Sequence, residues 1–188
     1  MPYGIEKNGD VLVLGEKSAT NSTETTVIEL GFDFFPFPGH SFSKLSIFAN
    51  GHCEYVSKQR PERLFFLNVH ANTAFEEPTP SHPSNIYYRS TKSEADLSIL
   101  NSHLREISYV SLENALVVTW HRMRAINAAA EDENTFQMAL GTDSTSFYLV
   151  LSFGLCTSPG WSNFPLDSGQ AYYQNVDRTI HQLVKNNN

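Results

Sequence analysis

Between Asn134 and Leu140 this sequence alternates with a period of two. Phe136, Met138 and Leu140 fall on one side, and Thr135, Gln137 and Ala139 on the other. Such a period fits a half-buried β-strand and cannot line one face of a helix. Ser146 to Phe153 repeats it, with Phe147, Leu149, Leu151 and Phe153 set against Tyr148, Val150 and Ser152. The link Gly141-Thr142-Asp143-Ser144-Thr145 has the residues and the length of a hairpin turn. Upstream, Leu116 to Trp120 is apolar nearly throughout, which predicts a strand inside a sheet rather than at its edge. Ala115 to Phe153 therefore reads as three successive strands, and as scaffold: none of its residues carries a catalytic signature.

The rest of the chain fits around that scaffold. Strands are expected at Val11 to Leu14, Thr26 to Gly31, Lys44 to Ala49, His52 to Val56, Leu64 to Val69 and Ile86 to Arg89. Asn50-Gly51 is a strong hairpin signal, and Leu45 and Phe48 are expected to point inward. Phe32 to Gly39 packs four phenylalanines around Pro36 and Pro38; proline forbids a central strand, so an irregular segment pressing its rings over the core is expected. Ser93 opens one helix, with acids in its first turn and an apolar stripe of Leu97, Leu100, Leu104 and Ile107. Ala71 to Asn85 reads as a long surface loop. Gln170 to Tyr173 reads as a strand and Asn175 to Lys185 as a short terminal helix.

Composition excludes several functions. A chain of 188 residues is one domain by length. Its 13 Phe and 8 Tyr favour strands, where rings pack well on a pleated surface. The net charge of −7, with Lys and Arg scattered, argues against a nucleic-acid partner; Arg122 and Arg124 are the nearest approach to a basic stripe. No apolar run nears the roughly 20 residues that span a bilayer, so membrane insertion is not expected, and no secretory leader is readable at the start.

The chemistry-bearing residues form no catalytic pattern. Seven histidines include no H-x-x-x-H or H-E-x-x-H, and a pair such as His52 and His70 lacks a third ligand. Glu131-Asp132-Glu133 supplies oxygens but no glycine-punctuated calcium loop. Glu76 and Glu77 point apart in an extended, proline-rich stretch and make a poor glycosidase pair. Neither a nucleophile elbow nor a phosphate-binding glycine loop is present. No enzyme, no metal and no cofactor is expected. The best binding candidates are rings in turns: Trp161 and Phe164, beside Pro159-Gly160 and Pro165, with Tyr172 close behind. Large amphipathic rings suit protein or sugar contacts; the competing reading has Trp161 capping the open end of the core. Cys53 and Cys156 permit either two buried thiols or one bridge closing a loop of about 100 residues.

The order of these signals resembles a known family. Tyr3-Gly4 with Gly9-Asp10 is followed by Phe35, Phe37 and Gly39, then Asn50-Gly51, Tyr87-Tyr88-Arg89 and the leucine-striped helix. Val118-Thr119-Trp120 and Asn134-Thr135-Phe136-Gln137 complete the series and are its most specific part. From about Tyr3 to Phe153 the chain is similar to the NIDO domain, the extracellular domain shared by nidogen (entactin), alpha-tectorin and sushi-domain proteins. It departs from the family at Leu64-Phe65-Phe66-Leu67-Asn68, where relatives carry a Pro-Phe-Trp-acid run, and again after Phe153.

The resemblance implies a non-enzymatic, secreted or cell-surface adhesion module that binds another extracellular protein, with a carbohydrate-binding module as the alternative. It brings no catalytic residues. An extracellular family with an even cysteine count implies a Cys53–Cys156 disulfide and makes Asn21, in Asn21-Ser22-Thr23, a glycosylation candidate. The expected architecture is mostly β: a two-sheet sandwich of about nine strands with one amphipathic helix packed on a sheet. The domain is expected over 1–175, with 176–188 as a C-terminal helix or tail.

Overall fold

In a computed structural model the described residues form two antiparallel sheets faced against each other, with a helix on the outside of the smaller sheet. The structure describes residues 11–14, 25–37, 40–49, 51–57, 63–68, 79, 81–105, 110–124, 126, 129, 132–144, 147–156, 169–174 and 180–186. The strands are β1 (Val11–Leu14), β2 (Thr25–Phe37), β3 (His40–Phe48), β4 (His52–Ser57), β5 (Arg63–Asn68) and β6 (Asn85–Thr91). After the helix α1 (Glu94–Leu104) come β7 (Asn114–Met123), β8 (Asn134–Thr142), β9 (Phe147–Cys156), β10 (Gly169–Gln174) and β11 (Ile180–Asn186). One sheet runs β1-β6-β7-β8-β9 and the other β11-β10-β5-β4-β3-β2.

Among the described residues the mostly-β architecture and the one helix are as expected; the strand count is not. Eleven strands are described in place of about nine, and two of the differences have a physical reason. Phe32–Phe37 is not irregular but the second half of β2, the last strand of the six-stranded sheet. Pro36 can donate no ladder bond, so the strand that holds it lies at an edge. Its pairing with β3 shifts twice, between Glu29 and Phe34 and between Phe34 and Phe37, and Gly31 takes the left-handed φ of 76° inside the first shift. The second correction is at the C-terminus. Ile180–Asn186 is not a helix but a strand paired with β10. Ile180, Leu183 and Val184 stand at helical spacing, but so short a segment is marginal as a helix by itself, and β10 supplies a ladder instead.

The alternation of β7, β8 and β9 is resolved into two cores. Leu116, Val118, Trp120, Phe136, Met138, Leu140 and Leu149 face the other sheet and meet Ile28, Leu30, Phe42, Leu45, Ile47 and Cys53. Ala115, Val117, Ala139 and Val150 face the opposite way and lie with Leu97, Leu100, Leu104 and Leu112 beside the helix. Both faces of β7 are therefore covered, which is why Leu116–Trp120 could be apolar throughout. In β3 the inward residues are Leu45 and Ile47, with a register shift between Phe42 and Lys44; Phe48 is buried but outside this inter-sheet cluster.

Polar groups fasten the layers. Ser93 begins α1 without a side-chain cap; its own N–H is accepted by Thr91 Oγ1 at 3.0 Å. The buried Arg89 guanidinium grips Asp96 of α1 with two bonds, of 3.0 and 2.9 Å. That grip holds the Asp96 carboxyl below the usual carboxylate range against the opposing effect of burial. Between the sheets, Ser90 Oγ donates to the Leu30 carbonyl at 2.6 Å and Trp120 Nε1 to the Phe48 carbonyl at 3.0 Å.

The expected Cys53–Cys156 disulfide is not formed. Cys53 is a free thiol, fully buried in the inter-sheet core, and burial pushes its thiol well above the ordinary range. It lies on β4 opposite Ile47 and Leu67, whereas Cys156 ends β9 opposite Asn134 in the other sheet.

Candidate functional site

At one end of the five-stranded sheet the β7–β8 ladder breaks. Trp120 pairs with Phe136, and the next pair is Met123 with Asn134, so His121 and Arg122 together oppose Thr135. This is a β-bulge. Arg122 takes a left-handed φ of 55°, costly for a residue with a Cβ and held only because the surroundings over-determine it. Its N–H donates to Thr135 Oγ1 at 3.1 Å.

The bulge turns the Arg122 carbonyl toward the segment that leads into β6. There the backbone cannot continue the ladder, because Pro83 has no N–H. Side chains take over: Ser84 Oγ donates to that carbonyl at 2.8 Å and His82 Nε2 at 3.0 Å. A carbonyl oxygen only accepts, so His82 Nε2 carries a proton. The Arg122 guanidinium, meanwhile, forms two 2.7 Å bonds to Glu133. Glu133 Oε1 also lies 3.3 Å from His82 Nδ1. The bonds from Arg122 hold the Glu133 carboxyl below its ordinary range. Beside them, burial and the Arg122 charge lower the pKa of the half-buried His121, whose ring stands 6.3 Å from that of Tyr87.

Serine, histidine and carboxylate meet here without forming a nucleophilic relay. A relay needs an imidazole nitrogen free to take the serine proton. In this cluster Ser84 Oγ and His82 Nε2 both donate to the same carbonyl. The chemistry of the arrangement is that of a clamp: it closes an open strand end and satisfies a bulge.

Sequence reasoning did not single out His82, Ser84 or Glu133 as partners of Arg122. They stand up to 40 residues from Arg122 along the chain, and the one local signal was the proline that interrupts the ladder. Glu133, weighed as a calcium ligand, is bound to Arg122. Among the described residues no three His, Cys, Asp or Glu side chains converge as metal ligands.

The residues singled out for binding lie mostly outside the described residues. Trp161, Phe164 and Asn21 lie outside the described residues, as do Glu76, Glu77 and His70. Tyr172 is in β10 between Asn68 of β5 and Gln182 of β11, with its side chain outside the described set.

Two facing antiparallel sheets with a helix on one of them define, among the described residues, a two-sheet β-sandwich. The sequence matches the nidogen-like domain family, NIDO, over residues 49–157, more than half of the chain. The chain belongs to that family, a non-catalytic module that occurs in extracellular proteins. The match covers the stretch from the Asn50-Gly51 turn through β9; the upstream residues that also suggested the family lie outside it. No curated protein and no solved structure gives a significant match. Among the described residues, no helix is long and apolar enough to cross a membrane.

Proposed function

We propose that this chain is a non-enzymatic extracellular adhesion module that binds another protein of the matrix or cell surface. The observation that carries the reading is family membership over 49–157, whose relatives are extracellular interaction modules. The chemistry of the bulge agrees with it. The groups that would serve catalysis, His82, Ser84 and Glu133, are engaged in holding the fold.

Immobilised protein exposed to a panel of matrix and cell-surface ectodomains tests the reading. Saturable binding to at least one ectodomain is expected. A blank panel would count against it, and a blank panel with saturable binding on a glycan array would replace it with the carbohydrate reading.

A further inference from the structure

We infer that the open edge of β2 pairs with the same edge of a second copy of this chain, antiparallel and centred on Val27. β2 ends the six-stranded sheet, and among the described residues it pairs with β3 alone. A strand edge offers a row of backbone N–H and C=O groups, and what satisfies such a row is another extended backbone. Prolines and bulges guard edges against this. Here both guards stand in the second half of the strand, at Gly31 and Pro36. From Thr25 to Glu29 the pairing with β3 runs without a shift. The one charge in that half, Glu29, is taken up by Lys44 of β3 at 2.7 Å.

Which groups face the open side follows from the hairpin next door. Gly51 N–H donates to the Phe48 carbonyl at 3.3 Å, so Phe48 turns its backbone groups toward β4. Backbone direction alternates along a strand, so Ser46 and Lys44 bond to β4 as well, while Ile47 and Leu45 bond to β2. Their partners there are Thr26 and Ile28. That leaves Thr25, Val27 and Glu29 with N–H and C=O on the open side. The strip ends at Leu30, whose carbonyl accepts the hydroxyl of Ser90 from β6.

A two-fold axis through Val27 matches this strip to itself. Val27 stands opposite Val27, and Thr25 opposite Glu29 in both directions. Every residue that faces the open side then exchanges N–H···O=C bonds with one that does likewise. The Val27 side chain is 55% exposed, one of two large apolar side chains so exposed among the described residues, and its symmetry mate covers it. Glu29 keeps Lys44 and faces no acid. Other centres fail. Glu29 on the axis sets two carboxylates face to face. Ile28 on the axis carries Thr25 onto Gly31, where the left-handed backbone interrupts the ladder.

Sedimentation equilibrium of the full chain, with a reductant to exclude thiol cross-links, tests this. A strip of this length buries less than a standard interface, so a dissociation constant of about 100 µM is expected. Each copy carries a net charge of −7, and salt screens that repulsion, so the dimer should gain as ionic strength rises. Val27→Pro removes an outward N–H from each copy and leaves the β3 ladder whole. Val27→Asp puts like charges on the axis and leaves the backbone alone. Each should weaken the dimer by about tenfold or more. Far-UV circular dichroism of both should match the wild type; should Val27→Pro depart from it, Val27→Asp decides. A wild-type chain that stays monomeric up to about 1 mM, a dimer that dissociates as salt is added, or one that a folded variant leaves unchanged would overturn the pairing.

Discussion

The indole N–H of Trp120 donates to the main-chain carbonyl of Phe48 across the inter-sheet core, at 3.0 Å and out of contact with water. The same ring stacks on Phe136 with centroids 5.1 Å apart and planes 13° from parallel. One side chain thus fills the core and bonds the last carbonyl of β3. In Trp120→Phe the Phe48 carbonyl loses the indole donor and keeps the Gly51 N–H at 3.3 Å. A loss of about 1 kcal/mol, the net worth of one hydrogen bond, is expected in urea unfolding. Trp120→Ala, which also leaves a cavity, should cost about 3–5 kcal/mol. Equal stabilities for wild type and Trp120→Phe would mean that the Gly51 N–H alone satisfies the carbonyl.

Gly141 lies where β8 passes under the helix side of its sheet. A Cβ added there would sit 2.6 Å from Leu112 Cδ1 and 3.2 Å from Leu112 Cγ, and Leu112 is itself buried. Gly141→Ala should therefore destabilise by about 1–3 kcal/mol, the usual range for overpacking. Trimming the neighbour identifies the cause: in the Leu112→Ala background the same substitution should cost less. Additive costs in that double-mutant cycle would place the strain elsewhere.

Acid should weaken the molecule at two named carboxylates. Asp96 and Glu133 are both held below their ordinary range, chiefly by bonds from Arg89 and Arg122. A depressed folded-state pKa contributes stability that is complete above the unfolded value. It is lost as pH falls through the folded value, so the decline should begin below about pH 4 and continue downward. Asp96→Asn removes one share of that slope and the charge-assisted character of the bonds from Arg89. It should cost about 1.5–3 kcal/mol at neutral pH. An unchanged acid limb in Asp96→Asn would show that other carboxylates carry it.

Cys53 offers a chemical test of the core. Its thiol is free, buried, and hard to ionise, so it should react slowly with Ellman's reagent in the native protein. Unfolding without a reductant should release two thiols per chain, Cys53 and Cys156. Zero thiols under that condition would restore the bridge expected from the extracellular family.

Much of the scaffold was legible because its determinants are local. The period of two in Asn134–Leu140, the apolar run Leu116–Trp120 and the leucine stripe of α1 each report their own burial. What was missed is non-local. The edge position that lets β2 keep Pro36 depends on which strand lies beside it. The extended form of Ile180–Asn186 depends on β10 as a neighbour. The bulge was hidden for a related reason: nothing in Trp120-His121-Arg122-Met123 announces a left-handed arginine, and its carbonyl finds partners in a segment that reads as loop.

Placing α1 over the outside of β7 and β8 has a consequence for how such a domain can diversify. That layer answers to packing on its front and its back alike, so a substitution on it is tested first by folding. Recognition can drift more freely at the six-stranded layer, where Val27, Glu29 and Lys44 already meet solvent, and in the connections between strands. Relatives of this chain should accordingly agree along the helix-backed layer while differing in what they hold.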